Sequence, residues 1–409
     1  MDIHQVRQHF PILSRKVAGG APLVYLDNAA TSQRPKEVMD KYLNLSLEHN
    51  ANIHRAVHTL SVEATEEFEK ARIAVAEFIN ASSPKEIVFT SGATASINTV
   101  AHSFGDAFIS QGDNIIVSEA EHHSNIVPWQ LLAQRDGVEI RVLPVDDAGH
   151  LRLDLLPALI DSKTRLLAIA HISNVLGLVN PIKEIISAAH ERGVRVLVDG
   201  AQGIVHEKVD VQNLDCDFYV FSGHKMYAAP FTGVLYGKKE LLDQMPPFLG
   251  GGEMIGSVSF EKGTTFAPVP GKFEAGTQNL SGIPTLTEAI KWCNLFRDKE
   301  FAAEQERLCA FVLDALLSDD RIKLYGVPRG NIVKIPLFSF TVKSAHHEDL
   351  ALILDKLGIA VRSGQMCAEP LMDRFGVTGM LRASFAPYNT IQEAEYFIKS
   401  LDRAIKMLV

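Results

Sequence analysis

The chain has 409 residues, 46% of them hydrophobic, enough to bury a large core and to divide into two or three domains. Its 40 basic and 49 acidic residues leave a net charge of −9 with no Lys/Arg-rich stripe, which argues against nucleic acid or a membrane surface as partner. Four cysteines (Cys216, Cys293, Cys309 and Cys367) without a Cys-x-x-Cys pair argue against a disulfide framework and a structural zinc site, so no metal is expected.

The N-terminal "MDIHQVRQHF" is not a basic region followed by an apolar run, and no stretch reaches the roughly 18 apolar residues that cross a bilayer, so a cytoplasmic protein is expected. From about residue 60 to 236, short β-branched runs alternate with helical patterns: "EIVFT", "NIIVS", "EIRVLPV", "RLLAIAHIS", "VRVLVDG" and "DFYVFS". The runs are apolar at nearly every position, as in strands covered on both faces, which predicts an α/β fold with a mostly parallel sheet. The Gly- and Pro-rich segment from Gln244 to Pro284 is too long for a simple connection and reads as functional or as interface. After it come a helical pattern through "AIKWCNLFRDKEFAAEQERLCAFVLDALL", strands near "NIVKIPLFSFTV" and "GIAVRS", and an amphipathic helix from Thr390 to Leu408. These predict a large domain over residues 21–284 and a smaller α+β domain formed by 285–409 together with 1–20.

Chemistry gathers at the predicted strand ends. "FYVFSGHK" ends an apolar run on Lys225, and "VRVLVDGAQG" places Asp199 at a strand end with Gln202 just after it. An amine beside a carboxylate, without a metal-ligand cluster, fits a pyridoxal phosphate site: the amine bonds the cofactor aldehyde, and the carboxylate keeps the pyridine nitrogen protonated. Alone, an Asp at a strand end is most often a cap or turn residue. In "FTSGATASINTV" a strand leads through Ser-Gly-Ala-Thr into a helix, whose N–H groups and Thr94 hydroxyl form an anion site. "SEAEHHSNIVPW" sets His122 past another strand, where an imidazole could lie over a ring, and "HISNVLG" offers Asn174. The agreement of several strand ends outweighs the bland reading of any one.

Over nearly its whole length the sequence resembles the group II cysteine desulfurases of the class V aminotransferase type, including SUF-type and cysteine-sulfinate-desulfinase-like members. The resemblance is carried by "YLDNAAT", "NIHRAVHTLS", "EHHSNIVPWQ", "SNVLG", "VDGAQG", "DFYVFSGHK", "FEAGTQN", "RSGQMCAEPL" and "LRASFAPYNT". It implies a type I pyridoxal phosphate fold and a homodimer with shared active sites. Lys225 would be the Schiff-base lysine, Asp199 the pyridinium partner, Gln202 the partner of the ring hydroxyl and His122 the stacking histidine. Thr94, Ser222 and His224 would hold phosphate, with Thr277 reaching in from the other subunit. Arg382 would clamp the substrate carboxylate, with Asn174, His54 and Arg362 beside it. Cys367 would attack sulfur, leaving L-alanine and an enzyme persulfide for a sulfur-acceptor protein. Selenocysteine lyase or cysteine sulfinate desulfinase activity is the alternative within the family, and a catalytically silent scaffold the alternative outside enzymes.

Three departures accompany the resemblance. The family's Arg-Gly-Thr-Thr-Glu phosphate loop is "SGATA" here, leaving Thr94 and backbone N–H groups. The family's Gly-Pro-Thr-Gly-x-Gly after the lysine is "AAPFTG", so Ala228, Ala229 and Phe231 must send the loop along another path or narrow the site. Met366 stands where a histidine usually precedes the cysteine, so a thiolate there loses a possible cationic neighbour.

Overall fold

The computed structural model describes residues 2–409. A seven-stranded sheet runs, in spatial order, Ile87–Thr90, Gly233–Gly237, Phe218–Ser222, Arg195–Asp199, Thr164–Ala170, Asn114–Ser118 and Glu139–Leu143. Gly233–Gly237 is antiparallel to both neighbours, and the other pairings are parallel. The sheet is thus mixed and mostly parallel, as its apolar runs predict. The period-2 alternation of side chains explains why those runs are apolar throughout: Tyr219 and Phe221 enter one core, while Phe218 and Val220 enter the core on the opposite face.

A smaller antiparallel sheet orders Ile322–Tyr325, Leu337–Val342, Met380–Ser384 and Arg362–Gly364, backed by helices Lys299–Leu317, His347–Lys356 and Ile391–Leu408. The last helix begins with a capping box: the Thr390 hydroxyl accepts from the Glu393 N–H, and the Glu393 carboxylate accepts from the Thr390 N–H. The predicted single strand "GIAVRS" is split between sheets. Ile359–Ala360 pairs in parallel with Val24–Tyr25, whereas Arg362–Gly364 pairs antiparallel with Met380–Arg382.

The apolar packing divides the chain elsewhere than at residues 20 and 284. Val6, Phe10 and Leu13 pack in the large-domain core, where the Phe10 ring lies 5.2 Å from Trp292 and 4.7 Å from Tyr388. Val24 and Leu26 instead enter the small-domain core. The continuous helical pattern after Pro284 is two helices, Leu286–Phe296 on the large domain and Lys299–Leu317, whose Phe301 still packs in the large-domain core while Leu308, Val312 and Leu316 enter the small one. Asp298 separates them by capping the second, its side chain accepting from the Glu300 N–H at 3.1 Å. The break at Asp298 splits the stretch because a cap residue inside an apolar-periodic pattern divides one helix into two, and the packing passes to the small core between Phe301 and Leu308.

Within the Gly/Pro-rich segment, Ile255–Ser259 and Gly263–Phe266 form a hairpin carrying Val258, Phe260 and Phe266 as exposed apolar side chains. No helix among the described residues is long and apolar enough to cross a membrane.

Candidate active site

The carboxyl ends of the large sheet's central strands and the small domain enclose a cavity of about 280 Å³. Its lining includes Thr94, His122, Asn174, Asp199, Gln202, Ser222, His224, Lys225, Arg362, Cys367 and Arg382 from the sequence-predicted set. Two predicted residues lie elsewhere. His54, with a left-handed φ of 69°, pairs with Glu69 at 3.1 Å, and Thr277 lines a separate surface cavity with Tyr42, Phe231 and Phe248. Neither reaches the site of its own chain.

Asp199 is buried at the end of its strand, with Oδ1 accepting the Ala201 N–H at 2.9 Å. Burial raises its pKa, while Lys225 opposes that shift. Lys225 is held in the short turn Gly223–Lys225 immediately after Ser222. Burial lowers its pKa against the attraction of Asp199, and Arg382 lowers it further, which increases the neutral, nucleophilic amine. His122 caps the next turn, its Nδ1 accepting from the Ser124 N–H at 3.0 Å. Burial, followed by Lys225 and other cationic neighbours, pushes it down to about 4, so the ring is neutral at pH 7 with its proton on Nε2.

The helix Ala93–Phe108 starts at Gly92, which has no side chain to cap it. The Ala93 N–H donates to Ser222 Oγ at 2.8 Å, while the Thr94 and Ser124 hydroxyls pair at 2.7 Å. A cradle of helix N–H groups and hydroxyls suits a phosphate without the basic residue that "SGATA" lacks. The His224 ring lies 3.2 Å from Thr31 Oγ1 at the same rim. Gln202 donates to the Ala29 carbonyl at 2.8 Å, which fixes its amide. An amine, a carboxylate, a neutral imidazole and an anion cradle together fit pyridoxal phosphate.

Arg382 is 2% exposed, donating through Nη1 to the Asn174 carbonyl at 2.8 Å and through Nη2 to Asp27 Oδ1 at 3.1 Å. The Asn174 side chain donates to the Met366 carbonyl at 2.9 Å, and the His123 N–H donates to the Cys367 carbonyl at 2.7 Å. These bonds fasten a turn in which Met366 and Cys367 both have left-handed φ, 56° and 54°. Cys367 is exposed, whereas Cys216 and Cys293 are buried with burial raising their thiol pKa.

The departures from the family pattern resolve as follows. Met366 is buried among Ala120, Leu176, Met372 and Met380 and also lines the cavity beside Cys367, so it gives the thiol an apolar neighbour in place of a cationic one. Ala228 and Ala229 are buried and Phe231 points outward, 74% exposed. The loop takes its unusual path through left-handed Tyr227 and Phe231 (φ 73° and 56°), and Ala228 to Phe231 are absent from the cavity wall among the described residues.

Two functional residues escaped the sequence reading. Asp27, inside "YLDNAAT", binds both cavity arginines. Glu121, fully buried next to His122, accepts from Ser118 Oγ at 2.5 Å, Asn125 Nδ2 at 2.7 Å and the Ala170 N–H at 3.0 Å, and burial pushes it up to about 7. It ties two strand ends to the turn that carries His122. An acidic residue three positions past an apolar strand was the available signal, and it reads equally well as a surface turn.

Comparison with known proteins agrees with this geometry. Residues 24–397 match the family model Aminotransferase class-V. The chain is 47% identical over 406 residues to a cysteine desulfurase of Cronobacter sakazakii, with 99% of each chain covered, and 47% over 407 residues to one of Serratia proteamaculans, with the same coverage. Among solved structures, the Escherichia coli cysteine desulfurase CsdA in its S-sulfonic acid form superposes with a TM-score of 0.90 at 41% identity, covering 100% of both chains. An apo cysteine desulfurase from Thermococcus onnurineus NA1 gives 0.92 at 36%, covering 100% of this chain and 99% of that one.

Proposed function

Because this chain belongs to the aminotransferase class-V family and its full-length relatives are cysteine desulfurases, we propose that it is a pyridoxal phosphate-dependent cysteine desulfurase in which Cys367 receives the sulfur of L-cysteine. The observation that carries this reading is that Cys367, Lys225, Asp199 and Arg382 line one cavity.

When bound, pyridoxal phosphate supplies a ring that draws electrons away from the substrate carbons attached to it. Lys225 would hold that group, Asp199 would keep its ring nitrogen protonated, and the Ala93–Phe108 helix start with Ser222 and His224 would hold its phosphate. Arg382 binds the substrate carboxylate and fixes the direction of the Cα–H bond. The neutral imidazole of His122, its Nδ1 occupied by the Ser124 N–H, donates from Nε2 toward the reacting atoms. The Cys367 thiolate attacks the substrate sulfur: an S–S bond forms, the Cβ–S bond breaks with its electron pair returning to carbon, and protonation there yields L-alanine and a Cys367 persulfide.

The exposed position of Cys367 supports onward transfer to a sulfur-acceptor protein. Thr277, outside its own chain's cavity among exposed Phe231 and Phe248, supports a homodimer in which it reaches the partner's site. Four free cysteines fit the reducing cytoplasm. The test is Cys367→Ala assayed with L-cysteine, cysteine sulfinate and selenocysteine. Alanine release from L-cysteine should disappear while the other substrates, whose sulfinate or selenium departs more readily, retain much of theirs. Unchanged release from L-cysteine contradicts the assignment.

A further inference from the structure

Three consecutive residues of "EHHSN" serve different parts of the molecule. His122 lines the cavity, and the Ser124 hydroxyl meets that of Thr94 in the anion cradle at 2.7 Å. His123, between them, is absent from the cavity wall among the described residues. It faces the segment that carries the thiol: its backbone N–H donates to the Cys367 carbonyl at 2.7 Å, and its ring Nε2 accepts from the Glu369 N–H at 3.0 Å.

Both bonds answer a local need. Met366 and Cys367 sit at left-handed φ, which side chains other than glycine adopt at a cost and keep only where the surroundings hold them. The helix Glu369–Phe375 then starts after Ala368, which has no side chain able to cap it, and Pro370 has no N–H to offer. The Glu369 N–H is thus the donor that needs an acceptor, and the imidazole of His123 supplies one across the domain seam. Only a neutral ring with its proton on Nδ1 can accept at Nε2. One residue therefore holds the chain at Cys367 and again at Glu369, with the thiol between the two fixed points and the cofactor-side His122 next to the holder.

We propose that His123 is a positioning residue for sulfur uptake: its imidazole caps the helix that follows Cys367 and so fixes the thiol relative to the turn that carries His122. The inference rests on the reading above in taking Cys367 as the sulfur acceptor. The backbone bond to the Cys367 carbonyl survives any side-chain change, so variants at this position report on the imidazole alone.

The test compares His123→Phe, which keeps ring bulk without an acceptor, with His123→Gln, whose Oε1 can stand where Nε2 does. His123→Asn, whose acceptor stops short of that place, serves if the Phe variant does not fold. In the Phe and Asn holoenzymes, alanine release from L-cysteine should fall about tenfold, as expected for one lost hydrogen bond that sets a reacting atom's place. Release from cysteine sulfinate, which does not need the thiol, and the cofactor absorbance should stay within about twofold of the parent. His123→Gln should restore most of the L-cysteine rate. Amide hydrogen exchange in the peptide from Gln365 to Met372 should quicken in Phe and Asn but not in Gln, a readout that needs no sulfur chemistry. Equal loss on both substrates, no loss on L-cysteine, failure of Gln to rescue, or unchanged exchange overturns the proposal. A parent that releases no alanine from L-cysteine removes the reading and the inference together, whereas unchanged exchange in an active parent's variants removes the inference alone.

Discussion

The cavity has two unlike walls. On the large-domain side, Asp199 and Ser222 are buried at the ends of adjacent strands, each strand hydrogen-bonded on both sides within the sheet. On the small-domain side, Cys367 is exposed on a left-handed turn anchored through the carbonyls of Met366 and Cys367. The contrast follows from what each wall does. Holding a cofactor needs fixed distances, which strand ends provide. Passing sulfur onward needs a thiol that faces substrate inside and an acceptor outside, which a turn at the rim provides.

If the division is real, the largest effect belongs to the strand-end wall. Lys225→Ala should lower L-cysteine turnover by at least about 1,000-fold, within the range for losing a nucleophile that also moves protons. It should also abolish borohydride-fixable cofactor, read from the visible spectrum after gel filtration. Arg382→Lys tests the seam between the walls. A point charge cannot copy the guanidinium's contacts to Asn174 and Asp27, so kcat/KM should fall about 30-fold or more while cofactor absorbance is kept.

A smaller effect sharpens the contrast in pH. His171, buried behind the rim with Nδ1 2.9 Å from the Tyr219 hydroxyl, is pushed by burial down to about 4 from 6.5. Between those values the folded site holds fewer protons than the unfolded chain, so its contribution to stability is present above pH 6.5 and is lost as pH falls toward about 4. The slope is at most about 1.4 kcal/mol per pH unit. Urea midpoints measured across pH 4.5 to 7 should therefore depend less on pH in His171→Gln than in the parent. The smallest catalytic effect is expected from Met366→His. Its side chain lies in an apolar core, so an imidazole there should cost about 2 kcal/mol of stability and should not speed alanine release. A clear rise in rate would show that an imidazole there supports the thiolate.

The strand-end wall was legible in the sequence because buried parallel strands are apolar throughout, so a Lys225 or Asp199 at their ends stands out. The turn wall was legible only in part. Cys367 could be placed in a loop, but the side-chain direction of Met366 depends on a left-handed φ that no local pattern encodes. Asp27 escaped because its role exists only where three strands distant in sequence meet. Two helices with one apolar rhythm read as a single stretch until Asp298 is seen as a cap.

The central claim is that the exposed turn alone takes up sulfur while the strand ends hold the cofactor. Peptide mass spectrometry after one equivalent of L-cysteine, under non-reducing conditions, tests it most directly. One added sulfur on the peptide containing Cys367 is the predicted result. Alanine released with the sulfur on Cys309, or on no cysteine, would contradict it.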